Sequence, residues 1–154
     1  MTDYRFDSMW VVATPVDSAF DTLRDYEAHP TWWRYVRSAR RAEPSNGTIA
    51  VRYEIQSPLF YSLSFDVELE RAVRPHLIVT RASGDLTGTG EWLLAESAGV
   101  TTIRHHWNVA TTKPWMNAVA PVGGPAFRWA HDRIMERGAR GLADVLDAEL
   151  VAYS

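Results

Sequence analysis

The chain contains no cysteine among its 154 residues. That absence excludes disulfide scaffolds, thiolate metal sites and cysteine nucleophiles, and it fits a reducing compartment. A basic excess is also missing, since the formal net charge is -3 at pH 7. A nucleic-acid surface needs clustered positive charge, so none is expected. Arg34, Arg37, Arg40 and Arg41 do cluster, and their position reads as a solvated helix end and strand start. No segment approaches the roughly 20 apolar residues of a membrane span. Met1 to Asp7 lacks the apolar run of a secretory signal. The expectation is a cytoplasmic protein that does not span a membrane.

Several catalytic and metal patterns are lacking too. No His-Glu-x-x-His or EF-hand spacing occurs, so no metal and no cofactor are expected. No Gly-x-Ser-x-Gly surrounds Ser62 or Ser64, which removes the nucleophile-elbow reading. The glycine-rich Gly84 to Gly90 lacks a Gly-Lys-Ser/Thr ending and precedes no helix, so it is not a phosphate loop. Asp66, Glu68 and Glu70 alternate on one wet strand face, and no two carboxylates pair on an apolar face for glycosidase chemistry.

What is present is apolar and aromatic. Hydrophobic residues make up 46% of the chain, which also has seven tryptophans: Trp10, Trp32, Trp33, Trp92, Trp107, Trp115 and Trp129. Indoles fill cores and line pockets for flat or greasy ligands. The length suits one domain over residues 1–154.

The patterning predicts a strand over Tyr4–Ala13 and then two short helices. Thr14 caps the first, Pro15 opens it, and Ala19, Phe20 and Leu23 form its buried stripe. His29-Pro30 opens the second, with Trp32, Trp33 and Val36 on one face. Extended segments follow, turned by Ser45-Asn46-Gly47, Arg74-Pro75, Ser83 to Asp85 and Glu96 to Gly99. Val51, Tyr53 and Ile55 face one way, as do Leu63, Phe65, Val67 and Leu69; this period of two belongs to an antiparallel sheet with one buried face. Pro114–Ala120 reads as a short helix that Pro121 to Pro125 interrupts. A long helix restarts near Pro125 and runs to about Ala148, with Phe127, Ile134, Leu142, Val145 and Leu146 as its stripe. Gly138 and Gly141 lie inside it, each costing about 1 kcal/mol relative to alanine. Their presence implies that something must come close to the helix there.

Four motifs carry a resemblance. They are Thr14-Pro15 with Phe20, Leu23 and Asp25; Pro30-x-Trp32-Trp33-x-x-Val36; Gly88-x-Gly90-x-Trp92-x-Leu94; and Phe127-x-Trp129-x-His131-Asp132-x-x-Met135-x-x-Gly138-x-x-Gly141-Leu142. In this order the chain resembles the SRPBCC superfamily, which groups START lipid-transfer domains, birch-pollen-allergen-like proteins and a bacterial polyketide cyclase/dehydrase-like subgroup. Ala130 stands where that subgroup's helix signature usually has asparagine before the histidine, so any role of that amide is absent. The resemblance implies an α+β helix-grip fold: a curved, seven-stranded antiparallel sheet around the long C-terminal helix, with two short helices after strand 1. It also implies a cavity between sheet and helix.

The expected ligand-binding lining is Trp32, Tyr53, Phe65, His105, Trp107, Phe127, His131 and Ile134. His105 shares strand parity with Ile103, Trp107 and Val109, which turns it inward and His106 outward. Arg81 shares parity with Leu77 and Val79. If these face inward it is a buried cation needing an anionic partner, and if Ile78 and Thr80 do, it is a surface residue. Three functions remain open. The first is binding of a hydrophobic or aromatic small molecule, lipid- or polyketide-like. The second is a polyketide cyclase/aromatase or dehydratase with His105, His131, Tyr53 and Arg81 as candidate catalytic groups. The third is a partner-binding or quinone-associated chaperone that docks through Trp115, Met116 and Val119, in a monomer or homodimer.

Overall fold

The computed structural model describes residues 2–42 and 49–154. The order is β1 (Asp3–Val12), α1 (Val16–Arg24), a 3-10 turn (Tyr26–Ala28), α2 (His29–Trp32), β2 (Val36–Ala42), β3 (Ala50–Gln56), β4 (Ser62–Val73), β5 (Leu77–Gly84), β6 (Leu86–Ser97), β7 (Val100–Thr111), α3 (Pro114–Val145) and β8 (Leu150–Tyr153). The sheet is antiparallel, with the strand order β2-β3-β4-β5-β6-β7-β1-β8. The helix-grip architecture is therefore present. The expected turn at Ser45-Asn46-Gly47 lies outside the described residues. No helix among the described residues is long and apolar enough to cross a membrane.

Among the described residues the sheet has eight strands rather than the expected seven. The extra strand, β8, pairs with the outer edge of β1, setting Tyr153 opposite Trp10. Four residues are too few to show a period, so only the partner edge makes them a strand. The Tyr153 hydroxyl then donates to Glu136 Oε1 at 3.1 Å, which ties the strand back to α3.

The terminal helix is continuous over 32 residues, with Pro121 and Pro125 inside it. This corrects the expected break. Each proline removes one i→i−4 donor. The two prolines lie four residues apart, and both are exposed. One stripe assignment and one docking-patch assignment change. Val145 is 51% exposed, whereas Met116, expected on a docking patch, is buried together with Met135. Thr14 does not cap α1. Its carbonyl instead accepts the Thr101 hydroxyl at 2.7 Å, and Glu96 Oε1 receives the Val16 N–H at 2.7 Å.

The two interior glycines of α3 are explained by what crosses them. A Cβ on Gly138 would stand 2.5 Å from the Trp33 indole, and one on Gly141 would overlap the Trp32 carbonyl oxygen. Trp33 Nε1 donates to the Ile134 carbonyl at 2.8 Å, one helical turn before Gly138. Trp10 packs edge-on against Trp33, with ring centroids 5.5 Å apart. The C-terminal half of α3 is thereby seated on β1 and α2 through close backbone approach.

Gly141→Ala is expected to lower stability by about 1–3 kcal/mol, because overpacking against backbone outweighs the ~1 kcal/mol of helix propensity gained. At Gly123 an added Cβ meets only ordinary contacts, 3.4 Å or more from Phe127 and Val119. Gly123→Ala should therefore be neutral or stabilise by up to about 1 kcal/mol. Urea-unfolding midpoints of the two variants test these opposite signs.

Candidate functional site

Ahead of Gly138 the helix stands off the sheet and leaves a cavity of about 160 Å³. An apolar cavity of ~150 Å³ is enough to take up benzene. The sheet supplies Tyr53, Phe65, Val67, Thr80, Trp92, His105, Trp107 and Val109 to its wall, and β1 adds Tyr4 and Phe6. The α1–β2 connection adds Tyr26, His29 and Trp33, while α3 adds Met116, Phe127, His131, Ile134 and Met135. Among the described residues that line it, none is Asp, Glu, Lys or Arg.

Of the eight expected lining residues, Tyr53, Phe65, His105, Trp107, Phe127, His131 and Ile134 are on this wall. Trp32 is not. Helix α2 ends at Trp32, and Trp33 turns to an extended backbone of φ -103°, ψ 105°. That change of conformation sends Trp33 into the cavity, while Trp32 stacks behind it with ring centroids 5.4 Å apart. Arg81 is also outside the cavity. Ile78, Thr80 and Ala82 are the buried residues of β5. Arg81 is thus turned to solvent, where its Nε donates to Glu70 Oε1 at 2.6 Å. It is removed from the candidate catalytic groups.

His105 is buried and stacks on Trp92 with ring centroids 4.0 Å apart. Its Nδ1 has no hydrogen-bond partner among the described residues. Burial, followed by the nearby charges of His131 and His106, pushes its pKa down to about 3. His131 stacks on Phe6 at 3.8 Å between centroids. Its Nδ1 lies 3.7 Å from Asp132 Oδ1, too long for a hydrogen bond. Burial lowers its pKa, and the Asp132 carboxylate offsets only part of that. His106 faces outward and pairs with Asp7, as strand parity requires.

The main polar feature that sequence reasoning missed is His29. It is 3% exposed, bonds the Leu23 carbonyl through Nε2 at 2.8 Å and meets Tyr53 Oη through Nδ1 at 3.0 Å. Its place before Pro30 reads as a helix start, and nothing local signals that the ring turns inward onto β3. Burial brings its pKa down to about 4, and the same burial raises that of the Tyr53 phenol well above 10. Tyr4 and Tyr26 also line the cavity, each with a buried hydroxyl that has no partner among the described residues.

The family model described as "Polyketide cyclase / dehydrase and lipid transport" matches residues 5–147. The chain belongs to this family. Among solved structures, the Zhui aromatase/cyclase from a Streptomyces species shares 14% identity at a TM-score of 0.72, over 95% of this chain and 94% of that one. A START superfamily protein from Mycobacterium smegmatis shares 17% identity at a TM-score of 0.72, over 93% of this chain and 97% of that one. The di-domain ARO/CYC BexL matches at 19% identity and a TM-score of 0.72; it covers 96% of this chain, which spans only 51% of BexL. At these identities the likeness to the polyketide cyclase/dehydrase and lipid transport fold is a likeness of fold. No curated protein matches the chain in sequence.

The buried histidines make stability depend on pH in a fixed direction. His29 and His105 have folded pKa values of about 4 and about 3, below the ordinary 6.5. The unfolded chain therefore binds more protons between those values, and stability falls as pH drops from about 6.5 towards 4. Each histidine contributes a slope approaching 1.4 kcal/mol per pH unit in that window. His105→Phe, which keeps an aromatic ring against Trp92, should remove about one proton's share of the slope. Urea unfolding at pH 7, 6 and 5 measures it.

Proposed function

We propose that the chain binds a neutral hydrophobic or aromatic small molecule in the cavity between the sheet and α3. The observation that carries this reading is the composition of the wall, which among the described residues is aromatic and aliphatic with a few neutral polar groups and no ionised side chain. Burying apolar ligand surface is worth about 25 cal/mol per Å². The scattered hydroxyl and imidazole groups orient the ligand rather than supply most of the affinity. Family membership and the START-type fold support the same reading.

A cyclase/aromatase or dehydratase reading draws on one observation: Tyr53, His29, His105 and His131 line a single space. General acid–base catalysis works best with a pKa near the working pH. His105 at about 3 and His29 at about 4 lie far below it, and Tyr53 lies well above 10. These groups suit hydrogen bonding to a bound molecule better than proton shuttling. Binding is the stronger reading.

Titration with naphthalene, followed by the indole N–H signals in nitrogen-proton correlation NMR, tests it. The Trp92 and Trp107 signals should shift and saturate, while that of Trp129, which is 54% exposed, should not. Val109→Trp, which fills the cavity, should weaken binding by at least about tenfold. Absence of saturable shifts, or undiminished binding by Val109→Trp, would overturn the reading.

A further inference from the structure

The polar atoms of the wall have a direction as well as a position. The Leu23 carbonyl can only accept, so the His29 Nε2 that lies 2.8 Å away carries the ring proton. A neutral imidazole has one N–H, which leaves His29 Nδ1 as an acceptor. Tyr53 Oη lies 3.0 Å from that nitrogen, and of the pair only the phenol has a proton to give. Tyr53 therefore donates to His29, and its oxygen retains lone pairs but no free proton. Both side chains line the cavity. The Tyr26 hydroxyl is buried with no partner among the described residues, and its ring centroid lies 6.5 Å from that of Tyr53, so it does not occupy this acceptor.

We infer that the Tyr53 oxygen is a one-way receptor for a ligand proton, and that the occupant is an uncharged aromatic molecule bearing an O–H or N–H: a phenol, an enol or an N–H heteroarene. This deepens the binding reading and rests on it. An ether or ketone placed at that point sets lone pair against lone pair. A carboxylate is further disfavoured, because the wall offers no cation to offset its desolvation. Burial keeps His29 neutral throughout the physiological range, so the direction of the relay persists there.

Calorimetric affinities for 1-naphthol, 1-methoxynaphthalene and naphthalene separate the possibilities, because the naphthol is bracketed by one larger and one smaller neutral analogue. Wild-type protein should bind 1-naphthol about tenfold more tightly than either, the worth of one buried hydrogen bond plus the avoided clash of acceptors. In a Tyr53→Phe, His29→Phe double variant, which removes both acceptors of the relay, the three affinities should fall within about threefold of one another. Equal affinities in the wild type, or a naphthol preference that survives in the double variant, would overturn the donor rule while leaving the cavity reading intact. Failure of all three arenes to bind would overturn both. The wild-type comparison stands even if the variant folds poorly.

Discussion

The structure depends on the close approach of α3 to the Trp32-Trp33 step. Two glycines let the helix backbone meet an indole and a carbonyl where any side chain would collide. The Trp33 N–H bond to Ile134 locks the contact at the same level. Behind this point the interior is filled by Trp10, Ala139 and Leu142, all essentially inaccessible. Ahead of it the helix meets the sheet along the cavity's rim, through His131 stacked on Phe6 and Arg128 donating to the Arg5 carbonyl, and the space these contacts enclose is the cavity. The tight seat at the C-terminal half of α3 thus sets the packing of the core at one end of the site.

Within that space, dielectric environment decides what each polar group can be. Imidazoles that would titrate near neutrality in water stay uncharged among aromatic rings, because a buried cation with no counter-charge is costly. Neutral groups still have a hydrogen-bonding sense. The backbone carbonyl of Leu23 sets the His29 tautomer, and the tautomer sets which way the Tyr53 proton points. A backbone group at the end of α1 thereby defines the chemistry presented by a side chain on β3. His105 on β7 and His131 on α3 stack on Trp92 and Phe6, and the Nδ1 atom of each is without a hydrogen-bond partner among the described residues.

Seven residues of the wall, Tyr53, Phe65, His105, Trp107, Phe127, His131 and Ile134, were legible in the sequence. A strand repeats every two residues, so Phe65 and Val67 specify one another's side, as do Ile103, His105 and Trp107. Where two apolar sets compete on one strand, as Leu77 and Val79 do with Ile78 and Thr80, parity alone is silent, and the neighbours β4 and β6 decided the face of Arg81. Trp32 and Trp33 differ for a related reason: a four-residue helix has no stable period, and the side chain that points inward depends on where the helix stops. Pro121 and Pro125 read locally as a break. In the structure both sit on the exposed side of a helix that runs through them.

By itself the sequence determined the alternating sheet, the long terminal helix, the demand for a close approach at Gly138 and Gly141, and an apolar interior without thiols. These follow from short-range periodicity and side-chain size, which are properties of a few consecutive residues. Only the tertiary structure decided that β8 adds to the edge of β1, that His29 meets Tyr53, and that Trp33 rather than Trp32 walls the cavity. Those contacts join residues far apart in the chain or hinge on a single backbone turn. Their free energy exists only once the sheet and helix have been brought together.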